Sequence, residues 1–437
     1  MEIGEKGDFA MAMTELTLPY GKGHISARIP EERVAGWIRS RLDDYRPPAG
    51  QKELAEQAMA APVGSPTLAQ LAQGKDRVVV LCSDHTRPVP SRYLLPPMLA
   101  QIRQGNPRAD IVLLVATGCH RGPSAQELAD KFGPEIMERE KILVHDCDDE
   151  ENMQDMGVLP SGGPLRLNKV AVQADLLAAE GFIEPHFFAG FSGGRKSVLP
   201  GVAARQTVYA NHCAAFIADP CARAGCLEGN PIHRDMVWAA ERAGLAFVAN
   251  AVIDSQKRLI AAFAGHFDQA HRQGAAFLAS LCRDQAIPAD IVITSNNGYP
   301  LDQNIYQAVK GISTAELCCR PGGVIIMAAQ CQDGVGGEGF YRTFAENRDA
   351  GDILRKILAV PQQETQADQW QSQIFARALT KCRVVFISDA PDQIVRDLHM
   401  TPAHSLEEAL ALAQQMTGNP EASVTVIPEG ISSIVEG

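Results

Sequence analysis

Residues 77–82 read RVVVLC and residues 110–116 read DIVLLVA. Each is an unbroken apolar run, without the every-other-residue alternation of a strand wetted on one face. A strand needs such a run only when both faces are covered, as in a parallel sheet flanked by helices. Helical stretches separate the runs. One covers 93–104. Another covers 124–132 and opens with Ser124 at the N-cap and Glu127 three residues on, the capping-box arrangement. A short strand follows at 142–145. Strand, polar turn and helix in repetition predict an α/β fold with mostly parallel sheets. Ahead of the first run, residues 15–30 alternate on either side of a Gly-Lys-Gly turn, which is a hairpin pattern. Residues 51–60 are helical after the break at Pro47 and Pro48.

The rhythm is interrupted over 181–201. It resumes with a helix at 231–243, a strand at 245–253 and a long helix at 267–282. Strands at 290–294, 324–329, 384–387 and 423–427 then alternate with helices from about Gln303, at 371–380 and at 405–416. The 437 residues suffice for two domains. The expected division is an N-terminal domain over 1–270, a connecting helix and linker over 271–288 and a C-terminal domain over 289–437. The active-site cleft is expected between the two. No convincing internal repeat is present.

Composition narrows the partners. The formal net charge is −12 and runs of Lys and Arg are absent, so nucleic acid and anionic membrane surfaces are not expected partners. A protein this acidic that handles a small anion must concentrate its cations locally; Arg87, Arg195, Lys196 and Lys310 are the ones to weigh. The 11 cysteines are odd in number and lack a CxxC pair, which fits neither a disulfide framework nor a zinc ribbon. Reduced thiols and a cytoplasmic location are expected. The N-terminal MEIGEKGDFAMAM lacks a secretion-signal pattern, and no apolar run approaches the roughly 20 residues that span a bilayer.

In parallel α/β sheets, ligands gather at the carboxyl ends of strands. The first run ends in Ser83-Asp84-His85-Thr86-Arg87. A carboxylate, a hydroxyl and a guanidinium so close together suit a carboxylate or phosphate ligand; an Asp–Arg pair that caps the next helix is the alternative. The second run ends in Ala116-Thr117-Gly118-Cys119-His120-Arg121. A histidine in such a loop is placed to act as a general base, or else to cap a helix. The interruption itself reads GFIEPHFFAGFSGGRKSVLPG. It holds His186, a small-residue loop from Gly190 to Gly194, then Arg195 and Lys196. His212 follows in YANHC. Glycines let backbone N–H groups approach an anion, and a lysine there is a point charge or a nucleophile. The P-loop pattern fails, because it requires glycine immediately before the lysine and Arg195 stands in that place. Gln307 and Lys310 lie three apart on a predicted helix and so share a face, as they also would on a solvated one.

The strings DHTRPVP, ATGCHR and PHFFAGFSGGRK, then Asn211 with His212, then SNNGYPLDQNIYQAVKG, resemble in content and order the motifs of the LarA family of nickel-dependent lactate racemases. The resemblance spans most of the chain. It implies an isomerase that racemises or epimerises a 2-hydroxy acid, lactate being the first choice. It also implies a cofactor, the nickel-pincer nucleotide Ni(II)-pyridinium-3,5-bisthiocarboxylic acid mononucleotide. Separate maturation enzymes make it, and protein produced without them lacks it. Carried over residue by residue, His120 and His186 are the catalytic bases. Asp84, Thr86 and Arg87 contact the cofactor, and Arg87 also faces substrate. Lys196 anchors the cofactor through a thioamide, and His212 is a nickel ligand. Tyr306, Gln307 and Lys310 lie on the substrate side. The amides of Gly193 and Gly194 are expected near the cofactor phosphate, with Trp370 and the loop from Gln330 to Phe340 bordering the pocket. His145, His233, His266 and His399 are assigned to structure or solvent.

The chemistry agrees with the implied cofactor. The alpha proton of a free 2-hydroxy carboxylate is very weakly acidic, whereas loss of hydride gives a planar 2-keto acid that can be reduced on either face. No side chain accepts hydride, so a cofactor must, and no GxGxxG in a strand–turn–helix setting suggests a nicotinamide dinucleotide. Two imidazoles suit two enantiomers. The residues by themselves also admit a phosphate-handling transferase built on Gly190 to Lys196, or a non-catalytic binder of nickel or an organic acid. A homo-oligomer is compatible with the sequence.

Overall fold

The computed structural model describes residues 12–437; the N-terminal residues 1–11, weighed above as a leader, lie outside the described residues. The chain divides into two compact units. One comprises 40–283 and 356–370, the other 12–39, 284–355 and 371–437.

The first unit is built on a six-stranded sheet. Its spatial order is Leu259–Gly265, Leu245–Ile253, Leu176–Phe182, Arg77–Ser83, Asp110–Ala116 and Lys141–Val144. All neighbours are parallel except the edge strand Leu259–Gly265. The apolar run of Arg77–Ser83 is buried without a break, as a doubly covered strand requires. Helices Gln51–Ala60 and Ser91–Gly105 pack Leu54, Met59, Leu95 and Met98 onto Val78, Val80, Leu113 and Val115. The first three strands of this sheet step outward in one direction. The chain then returns, and Leu176–Phe182 lies on the opposite side of Arg77–Ser83. Such a reversal opens a crevice at the carboxyl ends of the two central strands.

The second unit carries an all-parallel sheet in the order Thr401–Ala403, Arg383–Ile387, Cys319–Ala328, Ala289–Ser295, Val424–Ile427 and Val34–Trp37. The N-terminal hairpin, Met13–Tyr20 paired with Gly23–Pro30, buries Leu16, Leu18, Ala27 and Ile29 in the same core as Ile291, Ile293, Val324 and Ile326. This corrects the expected division of the chain. Residues 12–39 do not belong with 40–270: the hairpin has one apolar face and buries it on the second sheet, and Val34–Trp37 completes that sheet's edge. The helix expected to connect the domains, Gln269–Cys282, is part of the first unit, where it packs on Leu245–Ile253 and Leu259–Gly265.

The other expected elements are present, with shifted ends that have physical reasons. The helix expected from Gln303 begins at Ile305, because the Asn304 side chain accepts from the Gln307 N–H at 2.9 Å and so occupies the N-cap. The strand expected at 324–329 starts earlier, at Cys319, and carries Pro321 and two glycines before its buried part. Among the described residues, no helix is long and apolar enough to cross a membrane.

The capping box on Ala125–Phe132 is complete: Ser124 accepts from the Glu127 N–H, and the Glu127 carboxylate accepts from the Ser124 N–H. Ser124→Ala should cost about 1 kcal/mol. A urea titration checks it, through a lower midpoint at unchanged slope.

Candidate active site

The loops following Arg77–Ser83, Asp110–Ala116 and Leu176–Phe182 sit side by side at the carboxyl edge of the first sheet. Asp84, directly after the first strand, is 2% exposed. One of its oxygens lies 2.7 Å from His120 Nδ1, and the other accepts from the Thr86 hydroxyl at 2.6 Å and the Thr86 N–H at 3.0 Å. The Arg87 guanidinium donates to the Thr86 hydroxyl at 3.0 Å. Burial works against the Asp84 anion, but the hydrogen bond and charge of His120, with Arg87 and Thr86, hold its pKa down at about 2. A carboxylate on Nδ1 fixes the ring and places the proton of the neutral imidazole there, which leaves Nε2 as the basic nitrogen. The His120 side chain is 44% exposed, so this base is accessible. Asp84, expected to contact the cofactor, thus has a partner the sequence did not reveal.

The 181–201 stretch forms the neighbouring wall. His186 pairs with Gly190 in a two-residue ladder, and its Nδ1 accepts from the Ala189 N–H at 3.3 Å. The His186 ring meets Phe188 edge-on at 4.5 Å between centroids, Phe188 meets His212 at 5.0 Å, and His212 meets Trp370 at 5.1 Å. His212 is therefore boxed between two aromatic rings. Its Nδ1 is buried without a hydrogen-bond partner. Burial, and then the positive charge of Lys196, push its pKa down to about 3, so the ring is neutral at physiological pH. A neutral imidazole with an unpartnered buried nitrogen is in the form that ligates a metal. The donor set fits the nickel ligand implied above. Trp370, expected as a pocket wall, packs on the proposed ligand itself. Gln362, which no motif marked, donates to the Ala210 carbonyl at 3.0 Å and ties the same return segment to the helix preceding His212.

Arg195, weighed above as a local cation for an anionic ligand, does something else. It is 1% exposed. Its guanidinium donates to the carbonyls of Ala189 and Phe191 at 2.8 Å each, to Gly193 at 3.2 Å and to His233 Nδ1 at 3.0 Å. Nη1 also lies 2.9 Å from His271 Nε2. Burial lowers its pKa to about 9, which leaves it charged. The expectation for Gly194 also needs correcting. Its N–H is committed to Asn250 Oδ1 at 3.1 Å and is not presented to a phosphate. Gly194 has φ +54°, and a Cβ there would lie 2.9 Å from the His271 ring; glycine at this position serves close packing.

The remaining expected residues lie in the second unit. Tyr306, Gln307 and Lys310 are partly exposed on Ile305–Ala315, beside the buried Ile305, Ala308 and Val309. The 330–340 loop wraps the start of this helix: Ile305 N–H donates to Gly334 O at 3.0 Å, Tyr306 N–H to Val335 O at 2.9 Å, and the Tyr306 ring meets Phe340 at 5.6 Å. The loop thus borders Tyr306 within this unit.

Two family models match the chain. The lactate racemase N-terminal domain covers residues 20–225, and the lactate racemase C-terminal domain covers residues 284–435. The chain belongs to the lactate racemase family. It is accordingly an isomerase of the racemase kind. It is 51% identical to a lactate racemase of Thermoanaerobacterium thermosaccharolyticum over 97% of this chain and 99% of that one. It is 47% identical to one of Lactiplantibacillus plantarum over 97% of this chain and all of that one. The solved lactate racemase apoprotein of T. thermosaccharolyticum superimposes with a TM-score of 0.94 at 50% identity, covering 97% of this chain and all of that one. A protein from Thermotoga maritima, 16% identical, shares the fold alone, with a TM-score of 0.61 over 88% of this chain and 97% of that one.

Three histidines outside the site bear on acid stability. His145 Nε2 lies 3.1 Å from the Ala203 carbonyl and Nδ1 lies 3.1 Å from Asn168 Nδ2; burial lowers its pKa to about 4. Burial, then the nearby Arg195 charge, lowers His233 to about 3 and takes His271 well below the usual histidine value. Folded pKa values are thus depressed relative to about 6.5 in the unfolded chain. Between these limits the unfolded state binds more protons. The stabilisation is therefore complete above pH ~6.5 and falls by about 1.4 kcal/mol per pH unit per histidine below it. Urea midpoints measured from pH 7 to 5 should drop steeply, and His145→Gln should flatten that dependence by one proton.

Proposed function

We propose that the protein racemises lactate, with the two sides of the reaction served by His120 and His186. The observation that carries this reading is the boxed, neutral His212, joined through Phe188 to the ring of His186, in a unit that also holds His120 backed by the Asp84 carboxylate. The family relationship supports lactate as substrate, since the curated relatives carry that activity in their names. The group that fits His212 and Lys196 is the nickel-pincer nucleotide, and when bound it supplies the hydride acceptor that side chains lack.

The chain's own residues do the rest. Lys196 anchors the nucleotide, and His212 offers its neutral nitrogen to nickel. Asp84, Thr86 and Arg87 hold the first strand-end loop against it, with Gly193 near its phosphate. Arg87 holds the carboxylate or hydroxyl end of the substrate; Gln307 and Lys310, and more weakly Tyr306, are the substrate-side residues that the family motif assigns. His120 Nε2 takes the hydroxyl proton of one enantiomer, Asp84 stabilising the imidazolium that forms. His186 does the same for the other enantiomer. With one base for each enantiomer, the residues could protonate or deprotonate the hydroxyl of either hand, and the bound group would supply the hydride chemistry. The transferase alternative loses its main support, because the Gly194 amide and Arg195, the groups it would need, are spent inside the fold.

A positioned general base contributes about 10²–10⁴-fold. In His120→Ala, reduction of the bound cofactor by one pure enantiomer should fall by that factor while the other is affected far less. In His186→Ala the preference should reverse. Stopped-flow absorbance with each enantiomer reads this out, and equal slowing of both half-reactions in both variants would defeat the one-base-per-enantiomer scheme. His212→Ala should lose nickel and turnover together in protein made with the maturation enzymes, as followed by metal analysis. Unchanged nickel content would make His212 structural.

A further inference from the structure

Cys119 and Cys147 are far apart in sequence, and the sheet brings them together. Strands Asp110–Ala116 and Lys141–Val144 are parallel neighbours with Val115 opposite Val144. Past the end of the ladder the two chains stay side by side: His145 N–H donates to the Val115 carbonyl at 3.0 Å, and the Thr117 hydroxyl to the His145 carbonyl at 2.7 Å. Each cysteine lies two residues beyond this last tie. Their thiols are close enough to act directly on each other. Cys119 is partly exposed and Cys147 is 4% exposed. The Cys147 main chain is anchored by the Arg205 N–H at 3.1 Å, and Arg205 grips Asp148 through two 2.6 Å bonds. Cys119 sits in the tight turn closed by His120 N–H on the Thr117 carbonyl at 3.0 Å, next to His120 itself.

We infer that Cys119 and Cys147 are an oxidisable dithiol whose closure to a disulfide by a peroxide draws His120 off Asp84 and arrests the enzyme reversibly. The consequence for His120 rests on the proposed role of that residue as a base. The proton shared between the thiols is held by Cys119, which raises the Cys119 thiol and lowers that of Cys147; the positive charge of Arg205 favours the thiolate at both. Thiolate is the nucleophilic form. The Cys147 thiolate attacks a peroxide oxygen, the O–O bond breaks, and the departing hydroxide takes the Cys119 proton and leaves as water. Cys119 then attacks the Cys147 sulfenic sulfur. The S–O bond breaks, the S–S bond forms, and the departing hydroxide takes back from solvent the proton that Cys147 released on ionising and leaves as a second water. The peroxide is reduced by two electrons and the thiol pair is oxidised by two.

The geometric consequence is local. A disulfide brings the sulfurs to about 2.05 Å, well inside hydrogen-bond contact. Cys147 is held by the His145 ties just before it and by Arg205, so the Thr117–His120 turn must give. A displacement of about 1 Å at a catalytic group can cost on the order of 10²-fold. Of the other thiols in contact, Cys319 and Cys382 are both buried, and Cys221 and Cys226 lie outside the loops that carry Asp84 and His120.

The test treats holoenzyme with hydrogen peroxide, alkylates the remaining thiols and maps peptides by mass, with racemase activity followed before and after dithiothreitol. The expected result is a cross-linked Cys119–Cys147 peptide. It should accompany a loss of activity of about tenfold to a hundredfold that dithiothreitol restores. Cys147→Ser and Cys119→Ser should each start near the parent activity and lack the dithiothreitol-restored part. Recovery of both cysteines as separate alkylated or sulfinic peptides would overturn the pairing. A cross-linked peptide at full activity would overturn the effect on His120. The peptide map does not depend on the reaction proposed, so failure of the pairing is distinguishable from failure of His120 as a base, which His120→Ala tests separately.

Discussion

One buried guanidinium organises the 181–201 loop. Among the described residues Arg195 has no hydrogen-bonded carboxylate partner; its donors go to main-chain carbonyls of Ala189, Phe191 and Gly193 and to His233. A loop this rich in glycine has many conformations open to it, and ordering it is entropically costly. The clamp selects one of them by satisfying carbonyls that would otherwise be buried without donors, each of which costs about 1–3 kcal/mol when left unpaired. His186 lies before the clamped carbonyls and Lys196 directly after the clamping residue. The proposed base and the proposed anchor are therefore held by the same side chain, and neither can drift without breaking bonds at the other. The charge has a second effect: burial first, and then this charge, keep His233 and His271 neutral, so they accept or pack without adding a competing cation beneath the loop.

Most of the first sheet was legible because buried parallel strands write themselves as unbroken apolar runs, and the capping residues Ser124 and Asn304 mark their helices locally. The motif residues were legible as strand-end loops. Pairings across the sheet were not. Asp84 and His120 lie on different strands, and only the register of Arg77–Ser83 against Asp110–Ala116 makes them partners. The same holds for Arg195 with His233 and His271, where adjacency to Lys196 made a cation for an anionic ligand the natural reading and burial reversed it. Residues 12–39 were misplaced for a related reason. An amphipathic hairpin announces that it has an apolar face but carries no local sign of which sheet will cover it.

His212 illustrates how an aromatic box can prepare a ligand. Phe188 and Trp370 exclude water from the ring, and desolvation disfavours the imidazolium. A metal then has no proton to displace. The box depends on the return segment 356–370, which leaves the second unit, packs on the helix Arg205–Asn211 through Gln362 and on His212 through Trp370, and goes back. Residues that seemed remote from the motifs in sequence are thus part of what keeps His212 neutral.

The pairing of Val34–Trp37 with Val424–Ile427 sets a condition on biosynthesis. The strand Val34–Trp37 must wait for the much later Val424–Ile427 before its edge is covered. Contacts of such long range slow folding and expose unpaired edges while the chain is incomplete. The first unit also lacks its 356–370 segment until well after residues 40–283 have been made. A nascent chain released early would hold the catalytic motifs of the first sheet but neither the aromatic lid over His212 nor a closed second sheet. Truncation from the C-terminal end should therefore be far more damaging to the cell than its distance from the motifs suggests, because it leaves sticky, half-built sheets instead of a shortened enzyme.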